Sequence, residues 1–296
     1  MKKIFVALLL VLSTSVWSQL TQIGDLYYFI HSDDKYAEVN NIPGFNATYN
    51  WLVVVEIPSY VTYKGVTYPV KEIGYQAFSN SSTLISITIP SMVSYINEQA
   101  FMGCDALVEV NLPNTITSLS NSLFMSCKSL NSIIIPNSVK EITYGVFYGC
   151  TSLQSIVIPD AVQYIGKEAF KNCYSLESVH LGNGLTSIGE GAFARCSSLT
   201  EITIPNNVKR IDDQAFYACS ALKTVNIQNG VISIGSEAFR GCSSLTTIAL
   251  PATVMTIEDG AFAGCEALTT ILVPSGKKEH FMFRLDSRFH PMIKEK

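Results

Sequence analysis

The chain is poor in charge and in the residues that usually carry chemistry. Only 15% of its 296 residues are Asp, Glu, Lys or Arg, and it has 4 histidines and 2 tryptophans. The formal net charge of -4, with Lys and Arg scattered, excludes a basic surface for nucleic acid. Because 48% of the residues are hydrophobic, the chain is typical of a globular protein with a large core.

The motifs of common enzymes and metal sites are also absent. There is no G-x-S-x-G, no H-E-x-x-H and no phosphate-binding glycine loop. The 8 cysteines form no C-x-x-C pair and no histidine cluster accompanies them. We therefore expect no catalytic residue, no metal, no cofactor and no enzymatic activity.

The N-terminus has the pattern of an export signal. Lys2 and Lys3 precede an apolar run over residues 4–12, and mostly small residues lead to a cleavage site near Ser18-Gln19. The alternative is a membrane anchor or a buried helix, but the apolar run is short for a bilayer. No cysteine precedes Cys104, which excludes a lipid-modified cysteine at the cleavage site, and nothing later resembles a membrane span. The pattern predicts a secreted or cell-surface protein.

An internal repeat accounts for most of the chain. Residues 73–279 align as nine rows of 23 without insertion or deletion, each close to I-x-x-x-A-F-x-x-C-x-x-L-x-x-I-x-I-P-x-x-V-x-x. The phenylalanine column is unbroken from Phe78 to Phe262, and the leucine column from Leu84 to Leu268. Such self-similarity at a fixed period indicates a solenoid.

Each row predicts one strand and one turn. In the sixth row, Ile202 and Ile204 alternate as in a strand with one buried face, and Pro205 ends it. The A-F-x-x-C-x-x-L stretch has three- and four-residue steps, which favour a short helical turn. We therefore expect an α/β repeat solenoid, with a parallel β-sheet on the concave face and short helical turns on the convex side.

All eight cysteines occupy one column of the repeat, from Cys104 to Cys265. In an exported protein, an even number of cysteines can indicate disulfides. Stacked neighbours would however point their Cβ atoms the same way into the core, which is poor geometry for a bridge. We expect buried free thiols that pack as small apolar side chains.

The rows at 188–205 and 234–251 resemble the BspA-like class of leucine-rich repeat. The resemblance covers all nine rows, and its motif consists of core residues, so it identifies no binding residues. It implies an exported or surface protein of the kind found in anaerobic bacteria and some mucosal protists. It also implies adhesion to host or matrix proteins and to other microbes.

The two ends depart from the row pattern. Residues 1–18 are the predicted signal peptide, and 19–72 a β-hairpin cap, a half-repeat and a second, inserted hairpin at 61–68. After the repeats at 73–279, residues 280–296 form a C-terminal cap or tail. A short helix within 275–285 is expected to close the solenoid, with a tail from Asp286. The alternative is a frayed end throughout.

The concave face is the expected binding surface. Its exposed strand positions are mostly small and hydroxylated, with an apolar spot at Ile134 and Val157. Ser and Thr also simply suit exposed strand positions, and Tyr63, Tyr68, Tyr95 and Tyr164 are alternative anchors on the flanks. The candidate residues are Glu109, Asn111, Ser132, Ile134, Ser155, Val157, Ser178, His180, Glu201, Thr203, Thr224 and Asn226.

The sequence favours a monomeric adhesion-type module that binds a protein or glycan outside the cell. A structural component of the cell envelope is the alternative. A hydrolase is disfavoured, because Glu109 and Glu201 lie four rows apart, roughly 19 Å at the spacing of neighbouring strands. Paired catalytic carboxylates of glycosidases lie at most about 9.5 Å apart.

Overall fold

The computed structural model describes residues 19–42 and 48–296. The predicted signal peptide, residues 1–18, lies outside the described residues. The chain forms a β-solenoid of about ten turns with little helix. No helix in the described ranges has the length and apolar character needed to cross a membrane.

A sheet of mixed direction covers the N-terminal end. Strands β1 (Gln19–Ile23), β2 (Leu26–His31) and β3 (Tyr36–Asn40) are antiparallel neighbours, so β2 and β3 form the hairpin expected from the sequence. Strand β3 pairs in parallel with β6 (Val66–Ile73), which also pairs with β5 (Tyr60–Tyr63) as the expected second hairpin. We call β1, β2 and β3 the cap sheet.

Two parallel sheets run along the solenoid, and partners within each are usually 23 residues apart. The main sheet, predicted for the concave face, has strands of three or four residues. They are β4 (Val54–Glu56), β7 (Ser86–Thr88), β9 (Glu109–Asn111), β12 (Ser155–Ile158), β14 (Ser178–Leu181), β16 (Glu201–Ile204), β18 (Thr224–Ile227), β20 (Thr247–Ala249), β22 (Thr270–Val273) and β23 (Ile293–Glu295). The second sheet consists of two-residue strands, one at the start of each row from the second to the ninth. They are β8 (Tyr95–Ile96), β10 (Ser118–Leu119), β11 (Glu141–Ile142), β13 (Tyr164–Ile165), β15 (Ser187–Ile188), β17 (Arg210–Ile211), β19 (Ser233–Ile234) and β21 (Thr256–Ile257).

The helical turns predicted between these sheets are wrong. The A-F-x-x-C segments form successive tight turns, in which two residues per row, such as Glu168 (φ 57°) and Asn172 (φ 64°), have left-handed backbone. Left-handed residues interrupt a right-handed helix. Alternate backbone N–H groups donate to the next row, as from Phe170 to the Ala192 carbonyl at 2.7 Å. The N–H groups between them close tight turns within the row, as from Cys173 to the Phe170 carbonyl at 3.2 Å.

The core is a set of columns that continue from row to row. The nine phenylalanines from Phe78 to Phe262 stack with neighbouring ring centroids 5.0–5.7 Å apart. Tyr49 extends this stack at one end, at 5.2 Å from Phe78, and Phe289 packs edge-on against Phe262 at the other. Both caps thus continue the aromatic column of the repeats.

The cysteine column consists of buried free thiols, as the sequence predicted. Each Sγ donates to the carbonyl of the phenylalanine in the preceding row, as from Cys150 to Phe124 at 3.1 Å. Burial raises the pKa of these thiols, to about 12 for Cys173 and Cys219 and to about 11 for Cys265. The column is therefore made of neutral, hydrogen-bonded thiols.

The C-terminal end contains the expected helix, α1 (Lys278–Met282), but the residues from Asp286 are not a tail. They form a 3₁₀-helix (Ser287–Met292) and then β23, which pairs in parallel with β22. Phe289 and Ile293 are buried there. Their burial offsets the cost of ordering the segment.

Candidate binding face

All twelve candidate residues have exposed side chains, and ten of them lie on five strands of the main sheet. Parallel pairing places Val157 beside His180 and Thr203 beside Asn226. Each candidate flanks a residue of the buried alternation, such as Ile202 between Glu201 and Thr203. The alternation of residues along each predicted strand therefore identified correctly which of these side chains are exposed.

The main sheet is interrupted at residues 131–136, where the third row forms no strand. Strands β9 and β12, on either side, each pair with only one described neighbour. The backbone groups of Ser132, Ile133, Ile134 and Ile135 make no hydrogen bond with any described residue. This row is held by its buried side chains, including Ile135, and not by the ladder.

The interruption forms a cleft of about 890 Å³ between β9 and β12. Ile134 and Val157 both line it and are 86% and 62% exposed, respectively. Glu109 and Asn111 form its polar side together with Ser132 and Ser155. We call this feature the row-three cleft. It combines exposed apolar side chains with unpaired backbone groups. A single exposed residue on a fully paired sheet does not offer this combination.

A second interruption separates β14 from β16, which lie close together but do not pair. The cleft there has a volume of about 260 Å³ and is lined by His180, Glu201 and Thr203. The main sheet is thus divided into three blocks of paired strands. In contrast, the second sheet pairs without a break from β10 to β21.

The candidate face offers groups suited to binding. Glu109 and Glu201 line different clefts. No group of three His, Cys, Asp or Glu residues that could hold a metal ion occurs in ranges 19–42 and 48–296. The face can therefore contribute apolar contacts, hydroxyl groups and hydrogen bonds.

The alternative tyrosine anchors lie elsewhere. Tyr95 and Tyr164 are exposed on the second sheet. Tyr63 is partly buried in the inserted hairpin, and Tyr68 is buried, so Tyr68 is not a surface anchor. Sequence reasoning also missed the exposed Trp51 and Val54 near the N-terminal end of the main sheet.

A family model described as the BspA type leucine-rich repeat region matches residues 71–200 and 163–281, which span most of the described chain. The chain belongs to this family. BspA-type proteins are surface or exported bacterial proteins, and their solenoid fold is typically non-enzymatic. No curated protein matched the sequence.

Solved structures of bacterial leucine-rich repeat proteins are similar to this chain. One from Bacteroides ovatus is 30% identical with a TM-score of 0.74, over 86% of this chain and 70% of that one. A leucine-rich cell-surface protein from Faecalibacterium prausnitzii is 24% identical (TM-score 0.54, 94% and 95% covered). A leucine-rich repeat protein from Treponema pallidum is 26% identical (TM-score 0.53, 77% and 91% covered).

Proposed function

We propose that this BspA-type protein is an exported, monomeric adhesion module that binds a protein or glycan outside the cell. The row-three cleft is its main contact site. Export is supported by the signal-peptide pattern of residues 1–18 and by the family, whose members are surface or exported bacterial proteins. The array of nine rows supplies a long, rigid face on which contacts can be spread.

The observation that carries this proposal is the exposed apolar surface at the interrupted row. Burying an isoleucine or valine side chain stabilises a complex by roughly 1.5–3 kcal/mol. The cleft volume of about 890 Å³ falls within the range of small-ligand sites. Ser132 and Ser155 beside it can hydrogen-bond either a peptide or a sugar.

The test is a binding assay of the purified protein, residues 19–296, on immobilised host matrix proteins, glycans and co-resident bacteria. Ile134→Asp and Val157→Asp place a charge on the apolar side of the cleft, and each is expected to weaken capture at least tenfold. Thr88→Asp is the matched control, because Thr88 is exposed on β7, a strand paired on both sides, and is neither a candidate residue nor part of the cleft.

Unchanged capture by the two cleft variants would remove this site from the proposal. Absence of capture by the wild-type protein on every surface would contradict the adhesion function itself. Co-purification with an outer-membrane complex, and loss of envelope integrity on deletion, would then favour the scaffolding role.

A further inference from the structure

The main sheet ends at β4, and no described strand pairs with the outer edge of β4. The Ile57 N–H donates to Thr88, at 3.1 Å, and the Val53 carbonyl accepts from Ser86, at 3.3 Å. The backbone N–H and carbonyl groups of the odd-numbered residues in this strand therefore point toward β7. Because backbone groups alternate along a strand, those of Val54 and Glu56 face the free edge.

The cap sheet extends beyond this edge. Strand β3 pairs with β6, and β4 pairs with β7. Strands β6 and β7 belong to the same row, because the last residue of β6 begins the row that contains β7. Strands β3 and β4 therefore lie at the same level of the solenoid. Strands β2 and β1 continue for two more positions, on the order of 10 Å. The cap sheet therefore projects past β4 and leaves a step in the surface. The hairpin of β1 and β2 forms the far wall of this step.

This step is a cleft of about 410 Å³, which we call the edge cleft. Ile23 and Leu26 line it from the cap sheet, and Val54 and Glu56 line it from β4. Tyr60 also lines it. Val54 is 64% exposed and Tyr60 54% exposed, so the cleft presents apolar side chains beside an edge strand whose outer side pairs with no described strand.

The opposite end of the main sheet is protected differently. The last strand, β23, exposes Lys294 and Glu295 on its short length. Charged residues on a short edge strand are a common defence against unwanted strand pairing. The other edge strand, β4, exposes Val54 beside a single acidic side chain, Glu56.

The charge at the edge cleft has one sign. Asp25 and Glu56 line it, and no Lys, Arg or His does so among the described residues. A segment that enters the cleft as a strand would place alternate side chains toward Leu26 and toward Glu56. The first environment favours apolar side chains, and the second favours basic ones.

We propose that the edge cleft binds an extended peptide segment in which apolar and basic residues alternate, as an added strand beside β4. The backbone of Val54 and Glu56 supplies the hydrogen bonds, and the cap sheet covers the apolar side of the added strand. Addition of a strand to a free sheet edge is a general mode of peptide recognition. The site is separate from the row-three cleft and does not depend on the proposed function.

The test uses the protein spanning residues 19–296 and two fluorescein-labelled heptapeptides, one alternating Lys with Val and one alternating Glu with Val. Anisotropy titration should show saturable binding of the Lys-Val peptide and at least tenfold weaker binding of the Glu-Val peptide. Val54→Pro should weaken the Lys-Val peptide at least tenfold, because proline removes the N–H that faces the cleft. Glu56→Gln should weaken it several-fold, whereas Glu141→Gln, at an exposed position on β11 in the second sheet, should not.

Amide hydrogen exchange provides a second measurement that needs no variant. Saturating Lys-Val peptide should slow exchange at the Val54 and Glu56 amides while leaving Ile134 unchanged. Ile134→Asp should bind this peptide normally, which separates the outcome from that of the proposed function.

Three results would overturn the proposal. They are no saturable binding of the Lys-Val peptide, equal binding of both peptides, and unaltered exchange at Val54 and Glu56. Self-association of the wild-type protein that is lost in Val54→Pro would show instead that the edge accepts a second copy of this chain. If Val54→Pro lowers the melting temperature, Glu56→Gln and the exchange data decide the outcome.

Discussion

Individual residues in left-handed backbone shape the turn side of every row. Two positions in each row, four residues apart, have positive φ, and glycine occupies them in several rows, as at Gly145 and Gly149. Elsewhere the same positions hold residues with a Cβ, such as Ala218 at φ 56°. A residue with a Cβ is less stable than glycine in this conformation by about 1–2 kcal/mol. These positions therefore hold strain that substitution can release.

Ala218→Gly should raise the free energy of unfolding by up to about 1 kcal/mol, because relief of left-handed strain exceeds the entropic cost of glycine. Ala215→Gly is the matched control, since Ala215 is buried in the same row and has no positive φ. It should lower stability by about 1 kcal/mol. Urea unfolding of the two variants distinguishes them. A loss of stability in Ala218→Gly would contradict the strain argument.

The thiol explains why cysteine suits its column. A Cys Sγ reaches the phenylalanine carbonyl of the row before, as from Cys196 to Phe170 at 3.3 Å. In the first row, the column holds Ser81, whose buried hydroxyl has no hydrogen-bond partner among the described residues. Cysteine therefore combines an apolar fit with a weak donor. The column position was predictable from the sequence, but this hydrogen bond was not, because it joins different rows.

At the scale of elements, the strands of the main sheet and their parallel pairing were predictable, but the interruptions of that sheet and the second sheet were not. The alternation around Ile202 and Ile204 located β16, and the same reasoning applied to every row. Residues 131–136 fit the pattern equally well and yet form no strand. The interruption depends on how neighbouring rows stack, which no single row encodes. For the same reason, the row-three cleft was visible in the sequence only as an exposed Ile134 beside Val157.

The C-terminal strand was likewise missed. Three residues, Ile293–Glu295, are too few to show a periodicity, and β23 exists because β22 offers an edge. Phe289, packed edge-on against Phe262, anchors the segment in the core. Strand β23 is therefore stabilised mainly by its contacts with the last rows, and less by the intrinsic strand propensity of its residues.

Phe289→Ala should remove the contact that seats this cap. We expect a loss of about 3 kcal/mol in stability, the lower end for truncation of a buried phenylalanine, because the site is at an end. Phe283→Ala is the matched control, since Phe283 is 88% exposed a few residues away. Hydrogen exchange should accelerate first in β22 and β23. Uniform acceleration along the solenoid, or an equal effect of the two variants, would contradict a local cap.

At the scale of the whole molecule, the buried side chains of the described residues form one continuous hydrophobic core. The phenylalanine and cysteine columns continue through the repeats, and the caps extend the aromatic column through Tyr49 and Phe289. Repetition made the solenoid predictable, because each row meets a near copy of itself. The ends were harder to predict, because each cap packs against only one neighbouring row and its sequence does not follow the repeat. Stability should therefore depend on the columns more than on any single row.

The cysteine column makes the stability of the whole solenoid sensitive to alkaline pH. Burial raises the folded-state pKa of Cys173 and Cys219 from 9.0 to about 12, and that of Cys265 to about 11. A thiol with a raised folded pKa retains its proton in the native state while the unfolded chain loses it. Its contribution is complete below pH 9 and is lost as the pH rises toward the folded pKa, by about 1.4 kcal/mol per pH unit for each such thiol.

Unfolding in urea under reducing conditions should therefore show a constant midpoint from pH 7 to about 8.5 and a steep fall between pH 9 and 11. The triple variant Cys173→Ala, Cys196→Ala, Cys219→Ala begins less stable but has fewer thiols to ionise on unfolding. Its midpoint should fall less steeply over the same pH range, while the contribution of the buried tyrosines Tyr28 and Tyr49 remains the same in both proteins. Equal slopes for the wild-type and triple variant would show that the column does not control the alkaline transition. A shallower slope in the variant, with native thiols resistant to iodoacetamide at pH 8.5, would tie the stability of the solenoid to its stacked neutral thiols.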